Sequence, residues 1–466
     1  MSKYGLKAHT FIEKNICLIM KWSKYNHITR GSKHGIFIFN SVTNSFIKIS
    51  PELLEKIEAI EDWSIGLKKF EDDFITVLLA HKIIVSDDFD SEIFLKKKYL
   101  KYISSIKTSE VGLTIATTTG CNFKCPYCYE EGVKSINMSQ DVEDAIVKYI
   151  ETLNKPIDIT WYGGEPLINW HTIQRLTQKI SEIKPKEMVK YALITNGYSL
   201  TPEKCDYFAD VNLQHIQITL DGIENTHNKS RISKNGKPSY QKIMDNIDYA
   251  LRTLPNTYIA IRVNIGAHNK DDYPILRKEI YSRWGEYRKN LGMHFAFIID
   301  YKCNNSLCLT TRQQMAYVRE LYEKHMIITR NIFPVNNSGV CCANKIDSFV
   351  IAPDGTLYKC WVDIGKEEKK IGTIFEPDNI SNFGLLSEYF GDDKFSNPKC
   401  MKCFLLPLCG GLCPAAKSVA PKSDQCPYDS KYIDSILEIL YEIMHSAQDS
   451  DSALVKAGKV MLMNNL

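Results

Sequence analysis

The chain has 466 residues, which at roughly one domain per 150 residues allows about three domains. Its 44% apolar, 11% aromatic and 24% charged residues describe a globular protein and exclude fibrous or disordered architectures. Lys plus Arg at 58 against Asp plus Glu at 55 leaves +3, too small an excess to suggest a nucleic-acid partner.

The first segment, about residues 1–108, opens with a strand-like stretch followed by GIFIFNSVTNSFIKIS. Phe37, Phe39 and Ser41 alternate with Ile38 and Asn40 before a polar turn, the pattern of a β-hairpin. Pro51 suits a first helical turn, and Leu53, Leu54, Ile57 and Ile60 mark one face of the helix it starts. A second helix is expected around Phe70 to His81, followed by the short run Lys82 to Val85. A small hairpin with helices resembles a winged helix.

Residues 109–334 alternate β-rich runs with helical patterns: 112–118, 157–163, 191–196, 215–220, 258–265 and 294–300. Such alternation predicts an α/β fold of parallel strands with crossover helices, either doubly wound or a barrel of six β/α units. In both, ligands sit beyond the C-terminal ends of the strands. Residues 335–435 have few periodic runs and most of the cysteines, so bound metal is expected to replace part of a core there. Ile433, Ile436, Leu437, Leu440 and Ile443 mark an amphipathic helix within 429–447, and 436–466 is read as a C-terminal helix and tail.

The run Ile16 to Met20 is too short to span a bilayer, and no signal-peptide core follows the first basic residues. A cytoplasmic location with no membrane partner is expected. In a reducing cytosol the 15 cysteines are better candidates for metal sites than for disulfides. Directly after the first barrel strand, CNFKCPYC places Cys121, Cys125 and Cys128 in one loop. Zinc sites usually use Cys-x2-Cys pairs completed to four ligands. Three thiolates in Cys-x3-Cys-x2-Cys order instead suit three irons of a 4Fe–4S cubane and leave the fourth open to a small molecule.

This spacing, with the aromatic Tyr127 before the last cysteine, resembles the radical S-adenosylmethionine (SAM) superfamily. The resemblance implies that the open iron binds SAM and that one electron cleaves it to a 5′-deoxyadenosyl radical. Further residues match strand by strand. Gly163, Gly164, Glu165 and Pro166 look like the family motif that hydrogen-bonds the SAM amino group, with glycines allowing close backbone approach. Asn196 ends the third strand. Thr219, and Arg231 twelve residues later, match the Ser/Arg pair that contacts ribose and carboxylate in SPASM-type members, with Thr in place of Ser. Asn264 is a candidate for the adenosine pocket.

Cys342, Gly355, Cys360, Cys400, Cys403, Cys409, Cys413 and Cys426 follow the spacing C-x12-G-x4-C, then C-x2-C-x5-C-x3-C, then C. This pattern resembles the SPASM domain of peptide-modifying radical SAM enzymes, which carries two auxiliary 4Fe–4S clusters. The resemblance implies Cys400, Cys403, Cys409 and Cys426 at the outer cluster and Cys342, Cys360 and Cys413 at the inner one. The inner fourth ligand is Cys341, Cys303, Cys308 or an open iron. Cys17 and Cys205 read as buried thiols.

In sulfatase-maturing relatives an Asp that serves as base follows the cysteine at position 360; here Trp361 follows. The first segment loosely resembles modules that bind the leader of a precursor peptide, where a hairpin edge can add a peptide strand. The expectation is therefore a peptide maturase with three 4Fe–4S clusters and SAM. Its partners would be a precursor peptide with a leader segment and a flavodoxin- or ferredoxin-type reductant. It would form an oxidative crosslink, thioether or carbon–carbon/carbon–oxygen. The alternatives are formylglycine generation in a sulfatase, or a non-catalytic iron–sulfur or peptide-binding protein.

Overall fold

A computed structural model describes residues 19–299, 306–329, 341–391, 394–417, 426, 428 and 432–445. Cys17 and Cys303, and most of the tail expected within 436–466, lie outside the described residues.

The expected hairpin is present and gains a third strand. β1 (Met20–Trp22) is followed by β2 (Asn26–Thr29), β3 (Ile36–Asn40) and β4 (Ser45–Ile49), and β2-β3-β4 form an antiparallel sheet. Alternation along β3 divides its side chains between two cores. Ile38 joins Ile47, Leu54, Ile57, Trp63 and Leu78 in a small local core, whereas Phe37 and Phe39 belong to the large central one. Helix α1 (Pro51–Glu58) starts as expected, with Ser50 accepting from the Leu53 N–H and proline in the first turn. Helix α2 (Asp72–Ala80) and β5 (Ile84–Ser86), which pairs with β1, follow. The 18-residue helix α3 (Phe89–Ile106) then leads to the barrel, an element the sequence reading did not anticipate.

Six parallel strands form the centre: β6 (Val111–Thr118), β7 (Ile157–Gly163), β8 (Val189–Thr195), β9 (Leu213–Thr219), β10 (Tyr258–Ile265) and β11 (Leu291–Phe297). They are neighbours in simple chain order. A doubly wound sheet reverses its order at a switch point; this one does not, and right-handed crossovers in one direction put the connecting helices on one face. Helices Trp170–Ile183 and Tyr240–Thr253 bury Ile173, Leu176 and Ile180, and Ile243, Ile247 and Ala250, spaced as one helical face. Of the two alternatives, the partial barrel is the one observed.

The C-terminal region adds to this sheet. β12 (Ser348–Ile351) pairs in parallel with β6, then turns through Gly355, whose φ is +84°, into β13 (Thr356–Tyr358) and β14 (Gly372–Thr373). The helix Ile433–His445 closes the chain's path by packing on the N-terminal sheet. Tyr441 stacks on Phe37 with centroids 5.1 Å apart, and His27 meets Asp434 at 2.5 Å. Among the described residues no helix is long and apolar enough to cross a membrane.

Candidate functional site

The loop after β6 carries Cys121, Cys125 and Cys128 to the C-terminal rim of the sheet. A short antiparallel bridge holds it there: the Lys124 N–H donates to Ile232 O at 2.7 Å and the Lys234 N–H to Asn122 O at 2.8 Å. That bridge sets Arg231 beside the thiols. The Phe123 N–H points at Cys121 Sγ, 3.4 Å away, a contact of the type that tunes iron–sulfur ligands. Burial pushes the Cys121 thiol up to about 12 and Cys128 to about 11, and raises Cys125. Such thiols ionise when metal replaces their protons. Among the described residues no three cysteine sulfurs lie within 4.8 Å of one another. The donor set suits a 4Fe–4S group, which would supply the electron for SAM cleavage.

The end of β7 is locked against this loop by its two glycines. A Cβ on Gly163, at φ +137°, would lie 2.1 Å from Thr118 O, and one on Gly164 would lie 2.3 Å from Gly120 O. The close approach is thus to the carbonyls of the cysteine loop itself. The Gly164 N–H donates to Thr118 O and the Glu165 N–H to Gly120 O, at 3.0 and 2.9 Å. Glu165 is fully buried and its carboxylate is engaged by the chain: it accepts from the Leu167 N–H, Thr195 Oγ1 and the Asn196 N–H at 3.1, 2.7 and 2.7 Å. Its side chain therefore ties β7 to β8. Asn196 Nδ2 donates to Asn122 Oδ1 at 2.7 Å, returning the third strand to the cysteine loop. Pro166 is buried and starts the turn that follows.

A buried charge pair organises the opposite side. Arg231 donates from Nη1 to Tyr127 OH at 3.1 Å and to Asp221 Oδ2 at 3.4 Å, and its guanidinium lies over the Phe123 ring. Burial opposes its charge, but Cys125, Asp221 and Cys121 together hold its pKa above the ordinary value. Arg231 Nε is buried without a partner. Asp221 also accepts from the Asn264 N–H at 2.8 Å. Its own N–H donates to His227 Nδ1, which leaves the ring proton on Nε2 to donate to Ser239 Oγ at 3.1 Å. Burial, reinforced by Arg231, lowers His227 to about 3, so the ring is neutral. Asp221 and His227 were not singled out from the sequence, although Asp221 stands in the ITLDG run that ends β9.

These residues converge on one cavity of about 240 Å³. Its lining includes the three cysteines, Tyr127, Gly163, Gly164, Glu165, Asn196, Thr219, Arg231 and Asn264. Of the residues expected at the SAM site, all but Pro166 line this one cavity. Gln217, Arg262, Tyr162 and Glu130 also line it, with no motif to announce them. Trp361 and Val362 of the C-terminal region complete the wall, so both regions build the same chamber.

Eight of the remaining described cysteines fall into two neighbourhoods. Cys403 lies near Cys400 and Cys426, and Cys409 near Cys403 and Cys426. Cys360 lies near Cys341, Cys342 and Cys413, and Cys341 Sγ is 4.0 Å from Cys342 Sγ. Cys308 follows Leu307, whose carbonyl accepts from the Ala267 N–H at the barrel rim. Cys205 is buried, as expected of a structural thiol. Asp363, the carboxylate next along from Trp361, is buried and accepts from Tyr389 OH rather than lining the cavity.

Residues 115–279 match the radical SAM superfamily. The radical SAM cyclopropyl synthase TigE of Paramaledivibacter caminithermalis is 22% identical over 352 residues, 67% of this chain and 70% of that protein. The cysteine-type anaerobic sulfatase-maturating enzyme of Clostridium novyi is 24% identical over 326 residues, covering 64% and 85%. Among solved structures, native anSMEcpe with bound AdoMet superposes with a TM-score of 0.58 at 18% identity, covering 73% of this chain and 100% of that one. The same protein with AdoMet and the Kp18Cys peptide gives 0.58, covering 75% and 99%. The match spans the strands that carry the cysteine loop and line the cavity, so this chain contains a radical SAM domain.

Proposed function

We propose that this enzyme modifies a ribosomally made precursor peptide, closing an oxidative crosslink of thioether, carbon–carbon or carbon–oxygen type. The observation that carries the reading is the shared cavity: the cysteine loop and the Trp361 segment face one chamber. A radical made at one wall therefore meets a substrate bordered by the other. The Cys121, Cys125 and Cys128 loop binds the SAM-cleaving cluster. Cys400, Cys403, Cys409 and Cys426 form the outer auxiliary ligand set, and Cys360, Cys342, Cys341 and Cys413 the inner one. Cys341 takes the fourth inner place because it neighbours Cys360.

Arg231, held in place by Tyr127 and Asp221, offers charge and hydrogen bonds to the carboxylate end of SAM. Thr219, Asn196 and Asn264 border its nucleoside, and the walls exclude water from the radical. The leader segment adds along β4, an outer strand of the N-terminal sheet. A flavodoxin- or ferredoxin-type protein supplies the reducing electron.

Sulfatase maturation, the activity in the name of the Clostridium novyi relative, is disfavoured here because an indole stands at position 361 and the nearby Asp363 carboxylate is bound to Tyr389. Reconstituted enzyme with dithionite and SAM should release 5′-deoxyadenosine and contain about twelve irons per chain, four for each 4Fe–4S cluster. Iron near eight would remove one auxiliary cluster from the account.

A further inference from the structure

Lys359 stands between Tyr358, the last residue of β13, and Cys360. Its side chain is fully shut off from solvent, as no other lysine among the described residues is. A buried cation is costly unless it is both hydrogen-bonded and matched by an anion. Carbonyls meet the first need: Nζ donates to Lys345 O and to Ser348 O. The Phe349 and Phe390 rings lie 5.0 and 5.7 Å from Nζ and add the attraction of a cation for a ring face.

No carboxylate meets the second need. The charge of Asp347 reaches Lys359, but Asp347 pairs with Lys155 at 2.6 Å and accepts from Thr108 Oγ1 at 2.7 Å. Among the described residues no carboxylate forms an ion pair with Lys359. The other groups that favour its charge against burial are Cys342 and Cys341.

The backbone brings the same residues together. Lys345, whose carbonyl Nζ holds, follows the short turn Cys342–Asn344, and Lys359 O lies 3.7 Å from Cys342 Sγ. Lys359 therefore grips the Cys342 turn and carries Cys360 as its next residue. The anion this lysine lacks is what thiolates around iron would supply there. A 4Fe–4S group with its thiolates is negatively charged and gains one further negative charge on reduction, and the charge around it sets its potential. A fixed cation beside the ligand loop favours the reduced form over the oxidised one, because the attraction grows with the charge it meets.

We propose that Lys359 is a positioning residue for the inner cysteine group, whose buried ammonium offsets the charge of the cluster held there and raises its reduction potential. The proposal rests on the inner ligand set assigned above. In the oxidative step, the substrate radical left by hydrogen-atom abstraction closes its new bond by giving one electron to the oxidised inner group and one proton to solvent. The radical is oxidised and the inner group is reduced by one electron.

Electron paramagnetic resonance of full-length reconstituted enzyme, poised at a series of potentials, tests this. Cys360→Ala identifies the inner signal as the one it removes. Lys359→Met and Lys359→Gln both abolish the charge, and Gln keeps an N–H donor for the carbonyls. Both should retain iron and lower the inner group's equilibrium constant for reduction about tenfold or more, equivalent to about 59 mV for one electron. The signal of the Cys121, Cys125 and Cys128 group should not move. Lys359→Arg, which keeps the charge, should stay near the wild-type potential. A Gln variant at the wild-type potential, or an Arg variant shifted as far as Met, would assign Lys359 to packing and hydrogen bonding alone and overturn the proposal. So would folded neutral variants that lose the inner iron. Failure of the underlying ligand assignment would show separately, as wild-type enzyme with no signal that Cys360→Ala removes.

Discussion

Trp361 stacks on Tyr162, with ring centroids 5.6 Å apart and planes inclined by 19°. Tyr162 immediately precedes the Gly163 turn on β7, so this pair clamps the C-terminal region onto the rim that carries the cysteine loop. Stacked aromatic pairs contribute about 0.5–1.5 kcal/mol beyond their buried area. Trp361→Phe should keep the clamp and most peptide modification. Trp361→Ala should lower modification about tenfold or more, the equivalent of about 1.4 kcal/mol, with a larger change in the peptide KM than in SAM affinity. Equal losses in both would show that Trp361 acts on the fold rather than on the substrate wall.

Gly163 tolerates no side chain, because a Cβ there meets the Thr118 carbonyl at 2.1 Å in a left-handed conformation. Gly163→Ala should force the cysteine loop away from β7. The expected result is a fall in iron content and in iron–sulfur absorbance, with any iron proposed for the C-terminal cysteines retained. Full iron loading in the variant would contradict the locking role.

Glu165 satisfies three buried donors, so its truncation leaves the Leu167 and Asn196 N–H groups and the Thr195 hydroxyl unpaired. Each orphaned donor costs about 1–3 kcal/mol. Glu165→Ala should lower the urea midpoint markedly, and Glu165→Gln, which keeps one acceptor oxygen, should lower it less. Equal stability of both variants and wild type would show that the carboxylate serves only the ligand.

Stability should depend on pH through His227 and the cysteine loop in opposite directions. Burial depresses His227 from 6.5 to about 3. The unfolded chain then takes up a proton that the folded chain refuses, and His227's contribution, present above 6.5, is lost as pH falls toward about 3. Burial raises Cys121 and Cys128 from 9.0 to about 12 and about 11, so the cluster-free protein should lose stability as pH rises from 9.0 through those values. Urea titrations of cluster-free protein across pH measure both limbs. A flat profile on the alkaline side would show that the thiols are solvated.

Much of the centre was legible because its signals are local. Two strands, 157–163 and 258–265, match the sequence reading residue for residue, and each is an apolar, β-rich run with few competing helical residues. The cysteine loop was legible by spacing alone. Helix Phe89–Ile106 escaped because its periodic apolar residues face solvent and the lysine run blurs the pattern, whereas sequence periodicity is read as a core-facing stripe. The pairing of β12 with β6 joins segments far apart in the chain, and a parallel register of that kind leaves no local mark. Cys341 and Cys342 are adjacent in sequence; only their placement beside Cys360 distinguishes Cys341 from Cys308 as the fourth inner candidate.

The most direct test of the central claim is mass spectrometry of a candidate precursor peptide, short and rich in Cys, Gly or aromatic residues, taken from a neighbouring reading frame and co-expressed with the enzyme. The account predicts a product lighter by two hydrogen atoms for each crosslink, absent when Cys121, Cys125 and Cys128 are replaced by alanine. A peptide of unchanged mass, or one in which a cysteine has become formylglycine, would contradict it.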